Sequence, residues 1–369
     1  MIPALVVALI SVYLGYLARE KRFSFCLNFA FILISVFLGI RYMWGNDLPE
    51  YVDSFNEINS YANQSIFDLS TIDYRNGKET GWVILNILCK PIGFLGMQIL
   101  LVFFQNYILY RFVKENVSPH WYWLSLFIYC FGTNYMILSA SMLRQFLAMC
   151  IFVLASKFII ERKLMLFVIL IAIASTIHKS ALVLFPCYLI GYFNFRFKVK
   201  HLLFLIPIIL FWINFGGGIA HDIILSLIQN ADFQDLEYYE GIETDSSSGT
   251  GLGVIFNYLL LFTLLSQLHR FSPNIQRLSI ITSMSFLFIP FSSIIPMVGR
   301  IGMYFSIFSI VTYPMLMEKL PRKGYQQYWR LGLLIGFIII TLKVFFDFFY
   351  SPIWHKAFFV YHTIFEGSY

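Results

Sequence analysis

The chain has 369 residues, of which 59% are hydrophobic and only 12% charged, with a formal net charge of +6. Soluble domains carry about 25% charged residues, so this composition excludes an ordinary soluble globular protein. The length accommodates about a dozen spans of roughly 20 residues each, and the fold class expected is an all-α polytopic membrane protein.

The N-terminal segment MIPALVVALISVYLGYLAREKR has no basic leader and no small-residue cleavage site, so it reads as a retained first span. Apolar runs between polar breaks then give about 12 transmembrane helices. They run roughly over 2–18, 23–40, 93–110, 120–137, 142–160, 164–177, 180–193, 201–219, 252–268, 278–295, 301–317 and 331–349. Residues 1–369 read as a single transmembrane domain with two long acidic loops, 41–80 and 220–250.

The breaks alternate in charge. One set (AREKR, RFVKEN, ERK, RFKVK, HRFSPNIQR and EKLPRKGYQQYWR) holds 16 Lys/Arg and 4 Asp/Glu, whereas the opposite set, with both long loops and the tail, holds 9 and 16. Lys and Arg accumulate on the cytoplasmic side, so both loops and both termini are expected to face outward. The positive charge then reports topology and contact with membrane lipid, not nucleic acid.

Two stretches break the pattern. Glu79–Pro91 is helical in spacing, ends at proline and reads as an amphipathic segment at the outer interface. Leu164–Phe193 lies between two basic breaks and must cross an even number of times. Two 14-residue arms of about 21 Å fall short of a core of about 30 Å. The tip TIHKSA is therefore expected to be recessed and to line a wet cavity.

Cys26, Cys89, Cys130, Cys150 and Cys187 lie in or beside apolar runs and read as small core residues, with no disulfide framework or metal site. No CxxC, HExxH, Walker or GxGxxG pattern is present, so no metal, nucleotide or other cofactor is expected.

Charge in apolar sequence marks the candidate site. Arg144 lies in LSASMLRQFLAMCIFVLASKF, where a mid-helix arginine costs about 2.5–3.5 kcal/mol on insertion scales and usually faces a partner or a polar cavity. Arg41, His178, Lys179 and Arg300 mark other apolar segments, and Asp47 and Glu79 supply carboxylates on the same outer side. Plainer roles stand beside each. Arg41, Lys179 and Arg300 could be snorkelling anchors, Arg144 could be neutralised by Asp47 or Glu79, and His178 could cap a helix. Guanidinium groups suit a diphosphate because their planar fork stays charged when desolvated. A carboxylate or histidine beside them could take a proton from an attacking hydroxyl.

The stretches RYMWGNDLPEYVDSF, KETGWVILNILCK, SMLRQFLAMCIFVLAS, TIHKSALVLFP and VGRIGMYF, in this order, resemble the EpsG-like branch of the Wzy-type polysaccharide polymerases. The likeness rests on an Asp-x(3)-Tyr stretch after the second span, an E-x-G-W motif, an RQ pair and a His-Lys-Ser motif in which Ile177 replaces the familiar Phe. The Tyr-rich tail FVYHTIFEGSY adds to it.

The resemblance implies an integral-membrane glycosyltransferase with a GT-C-like core in the bacterial inner membrane. It would transfer a growing polyprenyl-diphosphate-linked glycan to a new undecaprenyl-diphosphate-linked repeat unit on the outer face, without metal or nucleotide sugar. A chain-length regulator protein is a further implied partner. Carried over, Arg144 and Arg300 bind diphosphate with Arg41 and Lys179 as weaker candidates, and Asp47, Glu79 or His178 is the base. A flippase for the same lipid-linked sugar, or another secondary transporter, is the alternative from a different class. A membrane acyltransferase using His178 as base is a third.

Overall fold

Most of the apolar sequence forms helix. The computed structural model describes residues 1–61, 79–193, 207–208, 211, 252–291 and 296–366. The expected loop at 220–250, nearly all of the span at 201–219 and residues 62–78 of the first loop lie outside the described residues. The chain divides into two compact units, Met1–Tyr192 with Ser309–Tyr369, and Phe193–Phe308.

The larger unit opens with α1 (Ile2–Leu17) and α2 (Cys26–Gly39). The buried residues of α1 are Ala4, Ala8, Ser11 and Gly15. They form a stripe of small side chains at helical spacing, which lets α1 lie close against its neighbours in apolar surroundings. After β1 (Arg41–Tyr42) comes α3 (Leu48–Tyr61). This helix buries Leu48, Tyr51, Val52, Phe55 and Ile58 and exposes Glu50, Asp53 and Glu57, the pattern of a one-faced amphipathic helix. Its apolar face meets α4 (Thr80–Leu88) through Ile58, Val83 and Ile87. Lys90 Nζ donates to the Asn59 carbonyl at 3.0 Å and fastens the end of α3.

The bundle continues with α5 (Gly93–Asn116), α6 (Tyr122–Phe131), α7 (Leu143–Ile160) and α8 (Leu164–Ile177). α1 packs on α2 and α6, while α7 packs on α5 and α8 and is buried along most of its length. The return arm from α8 is a 3₁₀ helix over Lys179–Gly191 with Pro186 inside it. At about 2.0 Å rise per residue its 13 residues extend about 26 Å, further than the same residues as α-helix. The expectation of two α-helical arms puts the shorter rise in both. α12 (Ser309–Lys319), α13 (Tyr325–Tyr350), α14 (Pro352–Phe358) and β2 (His362–Thr363) complete this unit. β2 pairs antiparallel with β1, a short ladder that the all-α reading lacks.

In the smaller unit α10 (Pro273–Met284) packs against α9 (Leu252–Ser266) and α11 (Pro296–Ser306). Phe288, between α10 and α11, stacks on Phe305 at 5.6 Å.

Among the described residues 4 helices are long and apolar enough to cross a membrane, or up to 5 if 299–306 and 309–319 count as one broken span. Four further apolar helices are shorter, including α1, α8 and the 3₁₀ arm. Apolar runs are cut short by local breaks, as where α6 stops at Gly132.

Ala8 is fully buried in the small-residue stripe of α1, so Ala8→Leu should overpack it by about 1–3 kcal/mol. The expected readout is a lower thermal midpoint of the purified protein, and an unaltered midpoint would contradict the close packing of α1.

Candidate functional site

Glu79 is the residue around which the charged side chains gather. It precedes α4 in extended backbone, and its carbonyl accepts the N–H groups of Trp82 and Val83 at 3.0 and 3.1 Å. The side chain does not cap its own helix. Instead Oε2 accepts from Arg144 Nη1 at 2.5 Å, while Oε1 meets His178 Nδ1 at 3.2 Å and accepts the Lys179 backbone N–H at 3.3 Å. The carboxylate is only 9% exposed.

Three elements bring these groups together. Arg144 is the second residue of α7, which begins within a residue of the span expected over 142–160, so the arginine sits in the first turn rather than at mid-helix. A cation in the first turn opposes the positive end of the helix dipole, and the Glu79 carboxylate offsets both charges. The guanidinium carbon lies 5.7 Å from the centre of the Tyr51 ring. Arg144 Nε is buried and has no hydrogen-bond partner among the described residues. His178 joins α8 to the 3₁₀ arm in extended backbone, at φ −151° and ψ 111°. The side chains of Arg144 and His178 remain 25% and 23% exposed, so the cluster is not sealed.

The approach of α4 to α8 depends on Gly81. A Cβ at that position would lie 2.3 Å from Thr176 Oγ1 and 2.8 Å from the Thr176 carbonyl. Only a residue without a side chain lets the start of α4 reach the end of α8, and with it lets Glu79 reach His178. That gives the glycine of Glu79-Thr80-Gly81-Trp82 a steric reason.

The electrostatics follow from the contacts. Burial alone would raise the Glu79 pKa, but the hydrogen bond with His178 and the charge of Arg144 outweigh it and hold the carboxyl at about 2. Glu79 is therefore ionised at neutral pH and can only accept. With Nδ1 turned to the carboxylate, Nε2 is the ring nitrogen left to accept a proton when the imidazole is uncharged.

The side chains of Arg41 and Asp47 have other partners. Arg41 is 0% exposed and donates to the carbonyls of Leu38 and Ala140. Asp47 is half-buried; its carboxylate accepts from Asn46 Nδ2 at 3.1 Å, and its backbone N–H donates to Ser141 Oγ at 3.0 Å. Lys179 contributes its backbone to the cluster, while its side chain is exposed. Arg300 lies on α11 in the smaller unit and is half-buried. The five cysteines are buried and unlinked. Among the described residues no three His, Cys, Asp or Glu side chains come together as a metal site. Sequence reasoning gave no role to Tyr51, although it is the tyrosine of the Asp-x(3)-Tyr stretch. It also passed over Ser141, for which no local signal exists.

A family model described as the EpsG family matches residues 24–363, a range that contains Glu79, Arg144 and His178. Among curated proteins and among solved structures nothing matches the chain.

Gly81→Ala should push α4 off Thr176 and separate Glu79 from His178. Roughly tenfold loss of function in protein that still folds is the expected result, and full function would contradict the close approach. Glu79 also sets a pH dependence. Its folded pKa lies below its ordinary value of 4.5, so its stabilisation is complete above about pH 5 and is lost as pH falls toward about 2. The difference is about 3 kcal/mol at neutral pH. The stability gap between the natural protein and Glu79→Gln should narrow as pH falls below about 5, as read by thermal unfolding. A gap that stays constant from about pH 5 down to about pH 3 would contradict the ion pair.

Proposed function

The chain belongs to the EpsG family, a family of polysaccharide-polymerase-type membrane proteins, and we propose that it joins lipid-linked oligosaccharide repeat units at the Glu79–Arg144–His178 cluster. The substrate class is a glycan on a polyprenyl diphosphate, undecaprenyl diphosphate in a bacterial inner membrane. The acceptor is a hydroxyl of a second lipid-linked unit, on the outer face.

The observation that carries this reading is the convergence of a guanidinium and an imidazole on one buried carboxylate. In the proposed reaction His178 Nε2 takes the proton from the acceptor hydroxyl. The freed oxygen attacks the anomeric carbon of the donor glycan, and the bond from that carbon to the diphosphate oxygen breaks. The departing diphosphate keeps the electron pair, and Arg144 stabilises it through guanidinium donors beyond the one given to Glu79.

Glu79 is the weaker base of the pair, since a carboxylate with a pKa of about 2 has little affinity for a proton at neutral pH. Its role is to hold the histidine tautomer and to aim the guanidinium. The Asp47 carboxylate accepts from its neighbour Asn46 and is not among the partners of Glu79 described above. The pairing of β2 with β1 supports an outward tail, because it puts the tail on the same side as the loop that leads to Asp47.

In cells, Arg144→Ala and His178→Gln should each leave single repeat units where the natural protein makes long chains. Wild-type chain length in either variant would overturn the assignment. Arg144→Lys keeps the charge but loses the fork, so chain extension should fall roughly tenfold or more. A flippase role would instead remove even the single-unit product, and a gel ladder separates the two outcomes.

A further inference from the structure

Arg41 makes contacts that neither an anchor nor a ligand would need. Its guanidinium donates to Leu38 in the last turn of α2, and Nη2 donates to the Ala140 carbonyl at 3.2 Å. Both acceptors belong to helix C-termini, since Ala140 closes the short helical turn Met136–Ser139. Such carbonyls lack helical partners and carry negative dipole charge, so a buried cation satisfies both at once. Gln98 of α5 holds the same backbone, donating to Gly39 at 2.8 Å and to the Arg41 carbonyl at 3.0 Å.

The following residues grip the same turn. Gly45 adopts φ +146°, and a Cβ there would lie 2.8 Å from the Ala140 carbonyl oxygen. The Asp47 N–H donates to Ser141 Oγ at 3.0 Å. Ala140 and Ser141 are thus fixed by three contacts from one loop, and α7 begins just beyond them with Arg144 in its first turn.

The C-terminal segment backs this loop. Trp44 Nε1 donates to the Phe358 carbonyl at 2.9 Å, Gly45 N–H to Ala357 at 3.2 Å, and Ile364 N–H to Ile40 at 3.0 Å. Arg41 and Tyr42 pair with Thr363 and His362 in the β1–β2 ladder. The Phe37 ring stacks on Tyr361 at 4.5 Å, and Trp44 meets Phe358 and Tyr361 edge-on at 5.2 and 5.4 Å. This assembly is joined to the Ala140–Ser141 turn by Arg41 and Asp47. Its route to the cluster runs through the Ala140–Ser141 turn to Arg144.

We infer that Arg41 and Trp44 are positioning residues for Arg144, and that the tail from Ala357 to Ile364 is the brace holding their loop against the Ala140–Ser141 turn. The inference rests on the reading of Arg144 as the diphosphate ligand. It adds that the aim of Arg144 is set by residues distant in sequence and outside the reacting groups. A small misplacement of such a group is costly to the rate.

Trp44→Phe tests it in the purified full-length protein, because an aromatic side chain stays while the N–H donor to Phe358 and the five-membered half of the indole are lost. Amide exchange over residues 138–146 should quicken by about fivefold, the effect of one hydrogen bond, with α10 and α13 unaffected. Unchanged exchange over 138–146 would overturn the brace whether or not the protein polymerises. For activity, Trp44→Phe and Arg41→Lys should lower kcat for joining two lipid-linked units, yet add almost nothing in an Arg144→Lys background. Equal losses in both backgrounds would show that they act elsewhere and would overturn the inference. Should the natural protein join no units at all, the polymerase reading fails, and the exchange measurement still decides the brace.

Discussion

A carboxylate taken out of water must be matched by donors and positive charge, and the arrangement around Glu79 follows from that requirement. Glu79 accepts from a guanidinium, an imidazole and a backbone N–H. Remove the anion and Arg144 faces the positive end of its own helix with no neutralising partner, while His178 loses the group that fixes its tautomer. The same carboxylate therefore holds together the end of α8, the start of α7 and the start of α4. Stability and chemistry are linked at this point, because the groups suited to bind diphosphate and to accept a proton are also the groups that keep the helix ends together.

The geometry separates two roles that the residue types alone leave mixed. A carboxylate held at about pKa 2 is an orienting anion, and the ring it orients has a nitrogen to spare. A guanidinium has donors to spare as well. The cluster thus presents an acceptor nitrogen and a cation from one anchored base, as a transfer from a diphosphate to a hydroxyl requires. Arg41 illustrates the opposite case. It carries the same functional group as Arg144, but its Nη1 and Nη2 donate to backbone carbonyls at two helix ends. Charge in an apolar sequence marks both residues, and only their acceptors tell them apart.

Much of this was legible in the residues. Composition points to a helical membrane protein, and the apolar runs 2–18, 142–160, 164–177 and 252–268 became helices within a few residues of the expected bounds. Arg144 and His178 stood out as polar residues in apolar segments and Glu79 as the carboxylate that opens the interfacial segment, and a carboxylate partner for Arg144 was among the readings. The rest depended on contacts remote in sequence. A span boundary between 137 and 142 is expected, but the contacts that hold that turn come from Arg41, Gly45 and Asp47 roughly a hundred positions earlier and leave no local trace. The β1–β2 ladder is two residues long on each side and leaves no periodic trace. The 3₁₀ arm differs from an α-helix only in rise, and Pro186 was its one local hint.

The most direct test is reconstitution. Purified protein in lipid vesicles is given two polyprenyl-diphosphate-linked repeat units, with no nucleotide sugar and no other enzyme. The expected result is a product of two or more joined units with release of one polyprenyl diphosphate per bond formed, lost on substitution of Arg144 or His178. Units that cross the bilayer without being joined, or joining that survives both substitutions, would contradict a polymerase centred on Glu79.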